Sequence, residues 1–307
     1  MRLNAIVLGS AAGGGFPQWN CRCPVCKLAW AGDRRVEPRT QSSLAVSANG
    51  EDWILVNASP DLRQQILVAP RLWPADGRLR DSPIKAVLLT GGEVDNVAGL
   101  LSLRERQPFV LWATARVHAA LDANPIFEAL DRGIVERRPL ALDRTVSIAG
   151  PAGDLGLSVE AFAVPGKVPL YMEKQVQSLA GRPEETIGLA IGDGRHRFHY
   201  IPACAAMNAE IRRRLEGSQL LFFDGTLWRD DEMIASGLGS KTGQRMGHLS
   251  MSGPEGSMAV LAEISLGRRI FIHINNSNAA LLADSAERKI LAAAGWEVAH
   301  DGMEIEL

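Results

Sequence analysis

The chain has 307 residues, 46% of them hydrophobic, four cysteines and a formal net charge of −2. That length holds a substantial core, and the composition is that of an ordinary globular protein. The balanced charge gives no footing for nucleic acid or an anionic membrane surface, and no apolar stretch reaches the length of a membrane span. The opening MRLNAIVLGS carries an apolar run too short for a secretory signal, so a reducing cytoplasm is the expected location.

Leu3–Leu8 reads as a first strand, followed by the glycine-rich loop GSAAGGGFPQWN. No Gly-Lys-Ser/Thr follows, which excludes a P-loop. The glycines instead predict close approach of backbone to a neighbour, at an active-site rim or around a metal. Cys21-Arg-Cys23-Pro-Val-Cys26 comes next. Three thiols so close, outside a secretory context, suit a metal better than disulfides. Zinc and iron–sulfur clusters both take such ligands, and tetrahedral zinc needs a fourth ligand from elsewhere.

Ser42–Ser47 and Asp52–Asn57 read as strands joined by Asn49-Gly50, a hairpin dipeptide. In NASPDLRQQI, Ser59 or Asp61 is placed to cap a short helix. Pro70–Pro83 reads as irregular. Ile84–Leu89 is a buried strand, and TGGEVDN after it sets Glu93, Asp95 and Asn96 at its carboxyl end. A helix with an apolar face at Val97, Leu100, Leu101 and Leu103 follows. Oxygen ligands in that position suit a hard or borderline cation; the competing reading makes Asp95 or Asn96 the helix cap.

Phe109–Ala113 is a further strand, and Val117–Ala129 a helix broken at Asn124-Pro125. Gly150–Gly156 reads as a turn. Leu157–Val164, Thr186–Ile191 and Arg197–Ile201 follow as strands, the last pair joined through Gly192-Asp193-Gly194. Met207–Glu216 is a helix, Gln219–Asp224 a buried strand ending in DGT, and Glu255–Ile264 a helix. Arg269–Ile274 is a strand, Ala279–Ala294 an amphipathic helix, and Trp296–Leu307 one or two short strands. Both halves of the chain run from strands to helices, which predicts two similar halves packed face to face in a single domain over 1–307, strands inside and helices outside.

Among the six histidines, His118 and His300 read as structural or solvated, and His196 and His199 lie in a strand where alternation puts them on opposite faces. His248 sits in a glycine-flanked loop, a common place for a ligand or catalytic group. His273 ends an apolar strand, where an unpaired imidazole is costly.

The ordered set GSAAGGGFPQWNCRCPVC, NASPDLRQQ, LLTGGEVDNVAGLLSLRE, FFDGTLW, GHLS and FIHINNSN resembles the coenzyme PQQ biosynthesis protein B family of the metallo-β-lactamase superfamily, from Arg2 to the carboxyl terminus. The resemblance implies an αββα four-layer sandwich of α/β (α+β) class, with a zinc knuckle at 21–26, and a role in making pyrroloquinoline quinone (PQQ) from a ribosomal peptide. It implies structural zinc on Cys21, Cys23 and Cys26, with Asn276 where relatives carry a histidine as fourth ligand. The superfamily metal box Thr-His-x-His-x-Asp-His falls on Thr90–Asn96, where Gly91, Glu93 and Asn96 stand in place of the histidines and Asp95 remains. The next histidine is replaced near Pro165 or Gly166, and the bridging aspartate near Ala203 or Cys204. His273 survives as the final histidine, and His248 falls where phosphodiesterase relatives keep a catalytic one.

These departures leave too few ligands for a dinuclear hydrolase. One metal on His273 and Asp95, with Glu93, Asn96 or His248 assisting and Asp224 as an outer candidate, remains. Two imidazoles and a carboxylate are the ligand set of non-haem Fe(II) oxygenases, which fits the family-implied step: O2-dependent hydroxylation of the tyrosine in a Glu–Tyr unit. The alternative is a carrier for PQQ or its precursor. Expected partners are that small ligand, other PQQ-pathway proteins and a second copy of the chain. The acidic substrate calls for arginines at the pocket, with Arg104, Arg106 and Arg245 as candidates.

Overall fold

The computed structural model describes residues 2–175, 178 and 180–307. Strands β1 (Asn4–Gly9), β2 (Ser43–Ser47), β3 (Trp53–Val56), β4 (Ile84–Leu88), β5 (Phe109–Ala113) and β6 (Val135–Pro139) form one sheet. Strands β7 (Thr145–Gly150), β8 (Gly153–Ala163), β9 (Ile187–Gly192), β10 (Arg197–Ile201), β11 (Ser218–Asp224), β12 (Leu266–Ile272) and β13 (Trp296–Val298) form the other. The last strand, β14 (Glu304–Glu306), returns to pair with β1 and completes the order β14-β1-β2-β3-β4-β5-β6; the second sheet runs β13-β12-β11-β10-β9-β8-β7.

Each sheet repeats one plan. Strands β1, β2 and β3 pair antiparallel and β3 to β6 parallel. Strands β7 to β10 pair antiparallel and β10 to β13 parallel. The two matching halves expected from the sequence are therefore present.

Side-chain alternation explains the layers. In β11, Leu220 and Phe222 point between the sheets against Phe198, Tyr200 and Ile270, whereas Leu221 and Phe223 face outward onto Ile211, Leu215 and Leu261 of covering helices. In β3, Ile54 and Val56 point inward, while Trp53 and Leu55 pack under Leu62 of the helix Leu62–Val68. Both faces of the central strands are buried, so these strands read as continuous apolar runs and helices are forced outside. The result is a four-layer αββα sandwich. No helix among the described residues is long and apolar enough to cross a membrane.

Several local expectations need correction. Strands β6 and β7 were not anticipated, because VERRP and TVSIAG carry no long apolar run; both are edge strands, and β6 ends at Pro139, which an edge tolerates. The helix after Glu93 covers only Val94–Val97 before a 3-10 turn, Ala98–Leu103. There Gly99 lies against the Ser59 carbonyl, where a Cβ would come within 2.1 Å. Asp61 makes no cap bond, since its carboxylate accepts from the Gln41 backbone and side chain at 2.9 and 3.0 Å. Ser59 Oγ accepts from the Asp61 N–H at 3.2 Å instead of capping the helix. The helix expected from Ala279 starts at Ala286, because Ser285 Oγ accepts from Arg288 N–H and sets its first turn there. The helix predicted over Glu255–Ile264 is confined to Ser257–Leu261. His196 lies in the turn before β10, facing Asp193 at 3.5 Å.

His199 is buried on β10, its Nδ1 2.7 Å from Ser218 Oγ and its Nε2 without a partner. Burial first, then the nearby Arg197, pushes it down to about 4 from an ordinary 6.5. The unfolded chain takes up this proton below about pH 6.5 and the folded one only near pH 4, so the contribution is lost as pH falls through that window. It amounts to about 3 kcal/mol at most. Urea unfolding of His199→Gln against wild type is expected to show a shallower fall in stability between pH 7 and 4.5; equal slopes would disprove the assignment.

Candidate metal centre

The carboxyl ends of β4, β11 and β12 meet along one edge between the sheets, and the polar groups gather there. Asp224 is the last residue of β11. His273 follows β12 with a left-handed φ of +61°. Asp95 lies in the first turn of the short helix Val94–Val97 after β4, and His248 follows the short helix Gly243–Met246, whose C-cap Gly247 has φ +94°.

Asp224 is fully buried, and both its oxygens are engaged. Oδ2 accepts from Cys204 N–H at 2.9 Å and faces His248 Nδ1 at 2.8 Å. Oδ1 accepts from Thr226 N–H at 3.0 Å and Thr226 O–H at 2.7 Å. A carboxylate only accepts, so His248 donates from Nδ1, and in the neutral ring Nε2 carries the lone pair. Thr226 has spent its single proton on Asp224. Its contact with His273 Nδ1 at 2.8 Å is therefore an N–H donating to the hydroxyl oxygen. The same logic leaves His273 Nε2 as the atom that meets Asp95.

That atom lies 3.4 Å from Asp95 Oδ2. Two lone pairs at this distance repel unless a cation stands between them, and the cation is a proton or a metal ion. Ligands about 2 Å from a tetrahedral ion lie about 3.3 Å apart, so the pair matches a shared metal. Burial works against the charged forms of both groups. Even so, the hydrogen bond and charge of Asp95 hold His273 above its usual range, and those of His273 hold Asp95 below the usual carboxylate range. The His248 ring stacks on His273 with centroids 5.1 Å apart. Gly13, in the glycine loop, leaves room for Asp95, whose Oδ2 lies 3.2 Å from where a Cβ would be. The close approach of backbone to a neighbour expected of this loop is present, and Gly13 also lines the cavity.

One ligand atom from each of Asp224, His248 and His273 also lies within 4.8 Å of the others. With every Asp224 oxygen already hydrogen-bonded and closed to solvent, that carboxylate orients the histidines rather than offering itself to an ion. Asp224 had been placed outermost by the sequence; the structure makes it the anchor. Thr226 was missed, although its place in DGT beside a buried aspartate was the available signal.

Other expected groups are placed differently. Glu93 turns away to Lys167, with Nζ at 2.5 Å, and to Leu170 N–H at 3.2 Å, so neither oxygen is free for His273. Neither Asp95 nor Asn96 caps the helix, because Glu93 occupies that position without a side-chain bond. Asn96 lines the cavity, its amide packed on Gly91. The cavity measures about 330 Å³ and is lined by Asp95, His248 and His273 together with Lys167, Glu173 and Lys241. Arg104 and Arg106 are elsewhere, bonded to the Leu101 carbonyl and to Asp131. Arg245 alone of the three arginines stands near the mouth, 3.6 Å from Glu173.

The cysteine cluster forms a separate buried centre, with the Sγ atoms of Cys21, Cys23 and Cys26 within 4.8 Å of one another. Cys21 Sγ accepts from Cys23 N–H, and Cys23 Sγ from Cys26 N–H, both at 3.4 Å. Asn276 closes the fourth side, its Nδ2 3.3 Å from Cys26 Sγ. Burial pushes the Cys23 thiol up to about 12, a backbone N–H opposing and the neighbouring thiols adding to it. Thiolates packed this way need a soft cation to be stable, which is the condition a zinc site meets.

Residues 52–274 match the beta-lactamase superfamily domain, and the chain belongs to that superfamily. The coenzyme PQQ synthesis protein B of Xanthomonas oryzae pv. oryzae is 56% identical over 306 residues, covering 99% of this chain and all of that one. Its counterpart from Methylobacterium nodulans is 54% identical over 305 residues with the same coverage. The crystal structure of Zn2+-bound PqqB from Methylobacterium extorquens matches with a TM-score of 0.94 at 52% identity, covering 99% of this chain and 100% of that one. The chain is thus a member of the coenzyme PQQ synthesis protein B family. A diphosphatase of the PhnP family, at 20% identity and a TM-score of 0.67 over 100% of this chain and 98% of its own, shares the fold.

Asp224→Ala leaves two backbone N–H groups and a histidine without their acceptor and is expected to cost about 3–5 kcal/mol of stability. Asp95→Ala removes only one long contact at the cavity wall and is expected to cost about 1 kcal/mol or less. Denaturant titration of the two variants checks the contrast, and equal losses would reverse the assignment of anchor and ligand.

Proposed function

We propose that the chain acts as one domain in PQQ synthesis, with a structural zinc ion on Cys21, Cys23 and Cys26 beside Asn276 and one redox-active metal held by Asp95, His248 and His273. There the tyrosine of a Glu–Tyr unit from the precursor peptide is hydroxylated. The observation that carries the reading is the Asp95–His273 pair, 3.4 Å apart with His248 stacked beside it. Its donor set, two imidazoles and one carboxylate, matches that of mononuclear non-haem iron sites. The names of the relatives support the pathway, and the Zn2+-bound PqqB from Methylobacterium extorquens supports zinc.

Iron bound there would supply the one-electron chemistry with O2 that ring hydroxylation requires and that zinc lacks. In that reaction one oxygen atom enters a ring C–H bond and the other leaves as water, with electrons and protons from an external reductant. The chain's own groups prepare the site. Asp224 fixes the proton on His248 Nδ1, and Thr226 orients His273, so that both Nε2 atoms stay available. Asp95 supplies the negative charge that partly neutralises a divalent ion. The cavity, about 330 Å³, is within the range of small-molecule sites. A bridged pair of metals, as hydrolysis in this superfamily uses, has no support from Gly91, Glu93 and Asn96 where the other histidines would stand, Glu93 being bonded to Lys167.

Fe(II)-loaded protein incubated with glutamyl-tyrosine, a reductant and isotopically labelled O2 is expected to give a product heavier by labelled oxygen. His273→Ala should slow this by more than about 100-fold. Identical product profiles from wild type and variant would leave the carrier role in its place. For the cysteine centre, Cys26→Ala is expected to lose the tightly bound zinc and lower the melting temperature, by metal analysis and calorimetry of freshly purified protein. Wild type without zinc, all four thiols titrating freely, would remove the knuckle from the proposal.

A further inference from the structure

Three cations converge on one carboxylate at the cavity mouth. Lys167 Nζ lies 3.6 Å from Glu173 Oε1, while Lys241 Nζ and an Arg245 terminal nitrogen lie 3.4 and 3.6 Å from Oε2. Lys167 and Lys241 line the same cavity as His248 and His273. Glu93 neutralises part of the charge through Lys167, so three cations face two carboxylates and the cluster keeps an excess of positive charge.

Glu173 fills this cradle poorly. Its side chain is only 13% exposed, yet Oε1 is buried with no hydrogen-bond partner. Its three ion contacts fall at 3.4–3.6 Å, whereas a well-seated charge-assisted bond is about 2.7–2.9 Å. A cluster built to stabilise the fold would close to that distance. The 3-10 turn Leu170–Gln175 that carries Glu173 is also lightly tied, through Leu170 N–H to Glu93 and Tyr171 O–H to the Gly92 carbonyl at 2.9 Å. Leu170 is 59% exposed and Tyr171 40%, so little apolar burial holds the turn down.

We infer that Lys167, Lys241 and Arg245 form a carboxylate-binding subsite for an acidic, peptide-derived substrate, and that Glu173 occupies it as a self-ligand. Substrate entry exchanges one carboxylate for another and releases the turn. The chemistry of the subsite stands on the cations themselves; that its ligand is Glu–Tyr rests on the proposed function. A self-ligand lowers apparent affinity by the fraction of time it holds the cradle, so removing its charge strengthens binding.

The test is calorimetric titration of wild-type protein, as purified with its zinc, using glutamyl-tyrosine and the same dipeptide with its carboxyl groups amidated. The free dipeptide is expected to bind about 10-fold or more tightly than the amidated one. Glu173→Gln, nearly isosteric at the cavity rim, should tighten the free dipeptide by about 3- to 10-fold. The double substitution Lys241→Gln, Arg245→Gln should weaken it by about 10-fold or more. Amide exchange over residues 170–174, followed by mass spectrometry, should rise when the dipeptide is added to wild type. Equal affinity for the amidated peptide, no binding of either probe, or an affinity indifferent to Glu173→Gln each overturns the subsite. Tight, Glu173-sensitive binding without oxygen transfer leaves the subsite standing and defeats the oxygenase reading; oxygen transfer with an affinity indifferent to Glu173 does the reverse.

Discussion

Asp224 has no exposed surface, and a carboxylate there is tolerable only because its oxygens are met by donors: Cys204 N–H, Thr226 N–H and O–H, and His248 Nδ1–H. These donors come from the turn after β10, the turn after β11 and the loop carrying His248. Satisfying one buried charge therefore fixes three otherwise independent pieces of backbone. The orientation of both histidines follows from it, because the protons on their Nδ1 atoms are assigned by Asp224 and Thr226. The same charge helps keep Cys204 inert: burial first, then Asp224, pushes that thiol up to about 12.

The sheet plan explains why such a cluster falls where it does. In both halves the parallel strands finish at the same edge, and their final residues leave the hydrogen-bond ladder with polar side chains free to turn. Asn57, just beyond β3, takes a left-handed φ of +65° and pairs with Thr90 beyond β4 through two bonds of 2.9 Å. This brace holds the start of the loop that bears Asp95. The opposite half repeats the device with His273, also left-handed, beyond β12. The positive φ at a histidine is a local strain that the bond from its Nδ1–H to Thr226 Oγ1 keeps in place.

Much of this was legible in the sequence, and the rest was not for identifiable reasons. Central strands such as Gln219–Asp224 and Ile84–Leu89 announced themselves because both faces are buried. Edge strands β6 and β7 did not, since one side of each meets solvent and their residues carry no run. The cysteine cluster was a candidate from spacing alone and His248 and His273 from a glycine-flanked loop and a strand end, whereas the position of Asp95 alone favoured a helix cap and only the family resemblance turned it toward a metal. Glu93 was drawn toward the metal by its position in TGGEVDN; only the fold brings Lys167, far along the chain, to claim it. The pocket's cations were sought among Arg104, Arg106 and Arg245, of which Arg245 stands at the mouth, whereas Lys167 and Lys241 come from loops whose sequence carries no periodic signal. Long-range electrostatic pairing of this kind leaves no trace in local pattern.

The segment from His273 to Asn276 links the two centres. His273 faces Asp95 in the cavity, and three residues later Asn276 lies against Cys23 and Cys26. Between them Ile274 exchanges backbone bonds with the glycine loop, donating to the Ser10 carbonyl at 2.9 Å and accepting from Ala12 N–H at 2.8 Å. That loop carries Gly13 to Asp95 and leads on to the cysteines. Sulfur centre, glycine loop and His273 are thus one hydrogen-bonded unit. A soft ion on the three thiols would tighten the Asn276 end and, through Ile274, the histidine end. The cysteine cluster is thereby tied to the backbone that positions His273. The two clusters differ in chemistry, sulfur in one and nitrogen and oxygen in the other, and share a single hydrogen-bonded frame.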